Sequence, residues 1–196
     1  MTDRNGLERR GLLCSLGVGL AAGFAGCLGG EQPEDDGETQ PQVYEPTIEN
    51  VDEGPFAFPE GHRCAVCNMP ATKYFGKGQL VHENGLAAVF DSPGCLFAYT
   101  VSSTPESPIA GAWTTDYETE ELIDATAAHF VLITDKEAAD DPMGIDPRPY
   151  ADREDALAFL EEWDAEELTE DDIIVGLEDV DLEIASIYRD SRLPDE

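Results

Sequence analysis

The stretch QLVHENGLAAVFDSPGCLFAYT, residues 79–100, constrains the fold more than any other part of the chain. Two apolar runs flank Glu83-Asn84-Gly85. Asn-Gly between such runs predicts a β-hairpin with a two-residue turn, its strands near 79–83 and 86–90. Asp91-Ser92-Pro93 then reads as a helix start, with Ser92 as cap and Pro93 in the first position. The helix that follows carries Cys95.

Further elements follow the same logic. Ala112–Tyr117 reads as a strand or extended turn, and HFVLIT (129–134) as a β-branched and aromatic strand. The loop DKEAADDPMGIDPRP leads to a helix from about Asp152 to Trp163, with Asp152 as its cap. Ala156, Phe159, Leu160 and Trp163 fall at helical spacing. A short strand and a final helix close the chain. Strands and helices in two clusters predict an α+β class. No phosphate-binding fingerprint appears, no G-x-S-x-G and no H-E-x-x-H, and the chain is read as a non-enzyme.

The first 55 residues are expected to lie outside this domain. Arg9 and Arg10 precede an apolar run, Gly11 to Ala25, that ends at Phe24-Ala25-Gly26-Cys27. The run is short for a membrane span, which takes roughly 20 residues. Paired arginines resemble a Tat export signal, and small residues before Cys27 resemble a lipobox where that cysteine is lipidated. An uncleaved anchor is the alternative. Both put the domain on the outer face of the cell membrane. Residues 28–55, acidic and rich in Pro, Gly and Gln, read as a disordered tether, with the ordered domain expected over 56–190.

Charge excludes one class of partner. Lys and Arg total 11 against 43 Asp and Glu, a formal net charge of -32. Such a polyanion repels nucleic acid. Carboxylates spread over the whole chain suit a halophile, in particular an archaeon, where salt screens their repulsion.

Cysteine arithmetic then isolates a site. With Cys14 and Cys27 assigned to the signal, Cys64, Cys67 and Cys95 remain. Three is odd, so a closed disulfide framework cannot use them all, and at least one thiol is left over or bound to something. Cys64 and Cys67 sit in GHRCAVCNMP, residues 61–70. If that segment is extended, Cys67 and Met69 point to one face. Thioether is a poor zinc ligand and an apt one for Cu(I), so Met69 shifts the reading towards a soft metal. A C-x-x-C alone fits zinc, a disulfide or redox exchange equally. Met69 has core filling as its bland alternative, and His62 is either a fourth ligand or an exposed loop residue. Cys95 is favoured as a packing residue, and His82 and His129 as structural ones.

The ordered series of motifs resembles the NosL family, the lipoproteins that accompany nitrous oxide reductase, in a haloarchaeal version. It comprises Cys64-Ala65-Val66-Cys67-Asn68-Met69, Lys73-Tyr74, Val89-Phe90-Asp91, Cys95, Trp113, Asp116-Tyr117, Ala127-Ala128-His129-Phe130-Val131, Pro142-Met143-Gly144 and Ala158-Phe159. The family pattern C-x-x-C-G-M has Asn68 in place of its glycine, and Asn tolerates positive φ. The resemblance implies two related ββαβ units, as in the mercury-lyase fold, here about 56–108 and 109–190. It implies a Cu(I) chaperone for the copper centres of nitrous oxide reductase, loaded by a copper donor at the membrane. Cys67 and Met69 match the family's proposed ligands, Met143 is a candidate third ligand, and Cys64 is a ligand or a transfer partner. The competing functions are a structural zinc domain, using Cys64, Cys67, Cys95 and a histidine, and a thiol–disulfide protein. The latter is disfavoured because Pro70 opposes a helix starting at Cys67.

Overall fold

The structure, a computed structural model, describes residues 44–103, 105, 107–139, 141–163 and 173–193. The export signal, Cys27 and most of the tether lie outside the described residues. The tether is shorter than its composition predicts. Tyr44 is buried and its N–H donates to the Ser102 carbonyl at 3.1 Å, while Thr47, Ile48 and Val51 donate to the carbonyls of Ala87 and Gly85. Apolar residues spaced through an acidic stretch pin residues 44–55 to the domain, against the expected boundary at 55/56.

The hairpin strands are β1 (Gly78–His82) and β2 (Ala87–Phe90), paired antiparallel with Gly78 opposite Phe90. The turn differs from the two-residue form expected. His82 N–H donates to the Leu86 carbonyl at 2.8 Å and Gly85 N–H to the His82 carbonyl at 2.9 Å, which makes a three-residue loop. Gly85 alone takes a positive φ, +80°, while the Asn84 side chain accepts from Leu86 N–H at 3.1 Å. The Asn side chain thus stabilises the loop without entering the left-handed region itself.

Helix α1 (Pro93–Ser102) starts as read, with Ser92 Oγ accepting from Cys95 N–H. Its apolar residues surround it on all sides, the pattern of a core helix. Leu96, Phe97, Ala98 and Tyr99 are fully buried. Strand β3 (Ile109–Thr115) returns beside β1, antiparallel, and β4 (Leu122–Asp124) extends that edge, giving the order β2-β1-β3-β4. Trp113 on β3 lies against Gly54 and Gly111, where any Cβ would come within 2.5 Å of its ring.

The second sheet joins β5 (His129–Val131), β6 (Arg148–Tyr150) and β7 (Ile174–Val175) in the order β6-β5-β7, all antiparallel. A helix, α2 (Arg153–Glu162), lies between β6 and β7 in the chain. Asp152 caps it by position, although its side chain makes no capping hydrogen bond. The final helix, α3 (Leu182–Arg189), has Asp181 accepting from Ile184 N–H.

Both sheets therefore follow one plan. The first strand is central, the second and third flank it, and a helix separates those two in sequence. The α+β class with two ββαβ units is what the structure contains. The expected division at 108/109 does not hold, because β3 completes the first unit by pairing with β1. The units meet on α1: Phe97 packs edge-on to Phe130 of β5, centroids 4.9 Å apart, and to Tyr188 of α3 at 6.1 Å. Asp116 ties the sheets through its carboxylate, which accepts from Glu118, Thr119 and, at 2.8 Å, Ala151 N–H. Burial opposes ionisation of Asp116, and these donors outweigh it and hold its pKa below the usual value.

Candidate metal centre

Residues 63–70 form a tight loop rather than the extended segment expected. Arg63 bridges Pro70, Cys64 N–H donates to the Met69 carbonyl at 2.8 Å, and Asn68 N–H to the Cys64 carbonyl at 3.0 Å. Asn68 makes the reversal possible with φ +62°, the conformation a glycine would adopt without cost. The loop is anchored to the hairpin by Ala65 N–H donating to the Val89 carbonyl at 3.0 Å. That anchor sets the cysteines above the end of β2, where Asp91 lies, and beside the first turn of α1, where Cys95 lies.

The result is a four-donor cluster. Sγ of Cys64, Cys67 and Cys95 and a carboxylate oxygen of Asp91 all lie within 4.8 Å of one another. All three cysteines are free thiols; Cys64 and Cys95 are buried and Cys67 is half-buried. Cys67 donates to both Asp91 oxygens at 3.2 Å. A tetrahedral ion with bonds of about 2.3 Å spaces its ligands by about 3.8 Å, so shifts of about an ångström would seat one. Three soft sulfurs and one hard oxygen suit a thiophilic ion such as Cu(I) or Zn²⁺.

The electrostatics keep the thiols protonated at neutral pH. Donation of the Cys64 S–H to Cys67, then burial, raises Cys64 from 9.0 to about 12. For Cys67 the Cys64 contact lowers the value, and the Cys95 contact with burial outweighs it, again giving about 12. Cys95 is pushed up by its Cys64 contact and by burial. Two features oppose this. Cys95 occupies the first turn of α1, whose N-terminus favours an anion. Arg189 Nε, from α3, also donates to Cys95 Sγ at 3.1 Å. The same guanidinium pairs with Asp146 at 3.0 Å and donates to Ser92 Oγ.

The expected residues fall in different places. Cys64 and Cys67 are in the cluster. Cys95, favoured as packing, is fully buried and in the cluster as well. Met69, within the loop, is 38% exposed, which rules out core filling. His62 is half-buried and lines an open cleft of about 630 Å³ with Cys64, Ala65 and Asn68. Met143 is half-buried at the corner of a turn in the second unit. His82 is structural: the Ser107 carbonyl can only accept, so Nδ1 at 2.9 Å carries the proton and Nε2 accepts from Tyr99 at 3.0 Å. Asp91 and Arg189 were not singled out for the site in sequence. Asp91 carries a signal, an acid ending an apolar strand just before a helix that carries a cysteine. Arg189 carries none.

No curated protein matches the chain. Among solved structures, the crystal structure of the copper chaperone NosL from Shewanella denitrificans is similar in fold. Its TM-score is 0.52 at 20% identity, over 66% of this chain and 97% of that one. The family model for NosL matches residues 55–175, a span that includes both sheets and the cysteine cluster, and the chain belongs to the NosL family.

Proposed function

We propose that the protein is a Cu(I) carrier that supplies copper to apo nitrous oxide reductase. It would work at the outer face of the cell membrane, held there by a lipid on Cys27. The observation that carries the reading is the convergence of three free thiols on one corner, two of them from a loop that also carries the exposed Met69. Soft donors select Cu(I). Cys67, half-buried, is the sulfur through which the ion would arrive, with Cys64 and Cys95 behind it. Met69 and Met143 are outer ligands, and His62 lines the open cleft that reaches Cys64. Each Cu–S bond formed from a thiol releases one proton, so affinity falls as pH falls. Release proceeds by exchange, the acceptor's ligands displacing the outer thioethers before the thiolates.

Anaerobic titration against a competing Cu(I) chelator tests this. One Cu(I) per chain is expected, with affinity lowered more than about 100-fold in Cys67→Ala, beyond the range for outer-shell changes. Unchanged affinity in that variant would sink the assignment. Transfer of the bound copper to apo nitrous oxide reductase tests the acceptor.

A second reading, structural zinc, is favoured by Asp91, which completes a four-donor set where the sequence left a histidine to be found. In that case chelation unfolds the protein, whereas removal of a carried Cu(I) leaves the fold standing.

A further inference from the structure

Asp141-Pro142-Met143-Gly144 has the composition of a tight turn, with Asp first, Pro second and Gly fourth. Gly144 N–H donates to the Asp141 carbonyl at 2.8 Å, and Asp141 Oδ1 accepts from Met143 N–H at 2.7 Å. Met143 stands at the third position, the corner. The turn is tied on two sides, through Asp146 to a residue that reaches Cys95 and through Asp141 to the chain that leaves the cysteine loop. Behind it, buried Asp146 accepts from Gly94 N–H at 2.8 Å and pairs with Arg189, which reaches Cys95 Sγ. In front, the other Asp141 oxygen, Oδ2, accepts from Tyr74 Oη–H at 2.6 Å. Tyr74 lies on the chain that leaves the cysteine loop.

The two ties differ in kind. Asp146 is 3% exposed and held by two neighbours, Gly94 and Arg189. The Tyr74–Asp141 contact joins two half-buried residues through one short hydrogen bond to a carboxylate, strong when made and breakable one residue at a time. Losing the Tyr74 hydroxyl leaves the turn's own bonds intact, since they use Oδ1 and the backbone. It also leaves the ring contact of Tyr74 with Phe75, centroids 4.5 Å apart.

We propose that the Tyr74–Asp141 hydrogen bond is a latch that holds the Met143 turn against the cysteine cluster, and that its opening governs the release of Cu(I). Tyr74 and Asp141 are positioning residues; the inference rests on the copper reading above, with Met143 as an outer ligand. The latch reconciles secure holding with fast delivery. The thiol corner stays rigid, and only the thioether arm swings away for an acceptor.

The test uses the full chain loaded with one Cu(I), and follows anaerobic loss of copper to a chromogenic Cu(I) chelator. Tyr74→Phe is expected to speed release about tenfold or more, in the range for outer-shell partners, while the metal-free protein still folds and melts only a few degrees lower. In a Met143→Leu background the same change is expected to add nothing, because the arm it positions no longer binds. Release from Tyr74→Phe at the wild-type rate, with Met143→Leu fast, overturns the latch and leaves the copper reading standing. An equal effect of Tyr74→Phe with and without Met143 also overturns it. Wild-type release from Met143→Leu removes Met143 as a ligand, and the latch with it. Failure of the wild-type chain to retain Cu(I) overturns both.

Discussion

The two ββαβ units share a topology and differ in almost everything else. In the first, β1 and β2 are buried along their whole length, and α1 carries no charged residue. In the second, the strands have three, three and two residues, and α2 buries only Ala156 fully. Half-buried rings pack around α2 there, whereas the first unit buries Phe90, Phe97 and Tyr99 completely. Arg148 lies over Tyr117, Phe159 and Trp163 at 4.3, 4.8 and 5.1 Å, its guanidinium serving as a filler between rings. The sulfur donors sit on the stiff unit and the Met143 turn on the loose one. A repeated backbone plan thus need not repeat its chemistry: the clustered thiols sit where packing is dense, and the Met143 turn where it is less so.

The contrast can be broken most directly through the helices. Phe97→Ala is expected to cost about 3–5 kcal/mol, as for a fully buried aromatic in a dense core. Phe159→Ala, half-buried on α2, is expected to cost about half as much. Denaturant unfolding at fixed high salt measures both, and equal losses would refute the difference in packing.

Alkali probes the sulfur corner of the first unit. The Cys64 pKa is raised in the fold, from 9.0 to about 12, so its contribution to stability is complete below pH 9 and lost as pH rises towards 12. Burial also raises Tyr99 and Tyr150, so the thiol's share is the difference in alkaline slope between the metal-free wild type and Cys64→Ser. Parallel curves would show that Cys64 is not held as a thiol by its neighbours.

The smallest effect is expected at Asn68. Asn68→Gly keeps the positive φ and should change stability by less than about 1 kcal/mol and leave copper affinity alone, whereas Asn68→Val is expected to lose about 1–2 kcal/mol. Thermal melts separate them. A large loss in the glycine variant would mean that the Asn68 side chain, and not its backbone, shapes the loop.

Much of the local structure was legible because its causes are local. The Ser92-Pro93 start of α1 follows from a cap and a pre-set φ. The positive φ of Asn68 follows from its place in the motif, and the α2 stripe from helical spacing. The misreadings were also local in origin. Asn84-Gly85 has two ways to turn a hairpin, and the chain uses the one that spares Asn84 a positive φ. Cys67 and Met69 share a face on a strand, but the loop closes through backbone hydrogen bonds between Cys64, Asn68 and Met69, which no alternation of side chains reveals.

By itself the sequence determined which elements form and which residue types bring metal chemistry: a C-x-x-C, a third cysteine at a helix start, and a methionine beside the pair. Only the tertiary structure decided that the third cysteine joins the first two, that Asp91 lies with them, and that Arg189 of α3 reaches Cys95. The physical reason is that patterning records the face each residue turns to the core. Which faces meet depends on how α1 packs between two sheets and a terminal helix, and that follows from the fit of side chains distant in the chain.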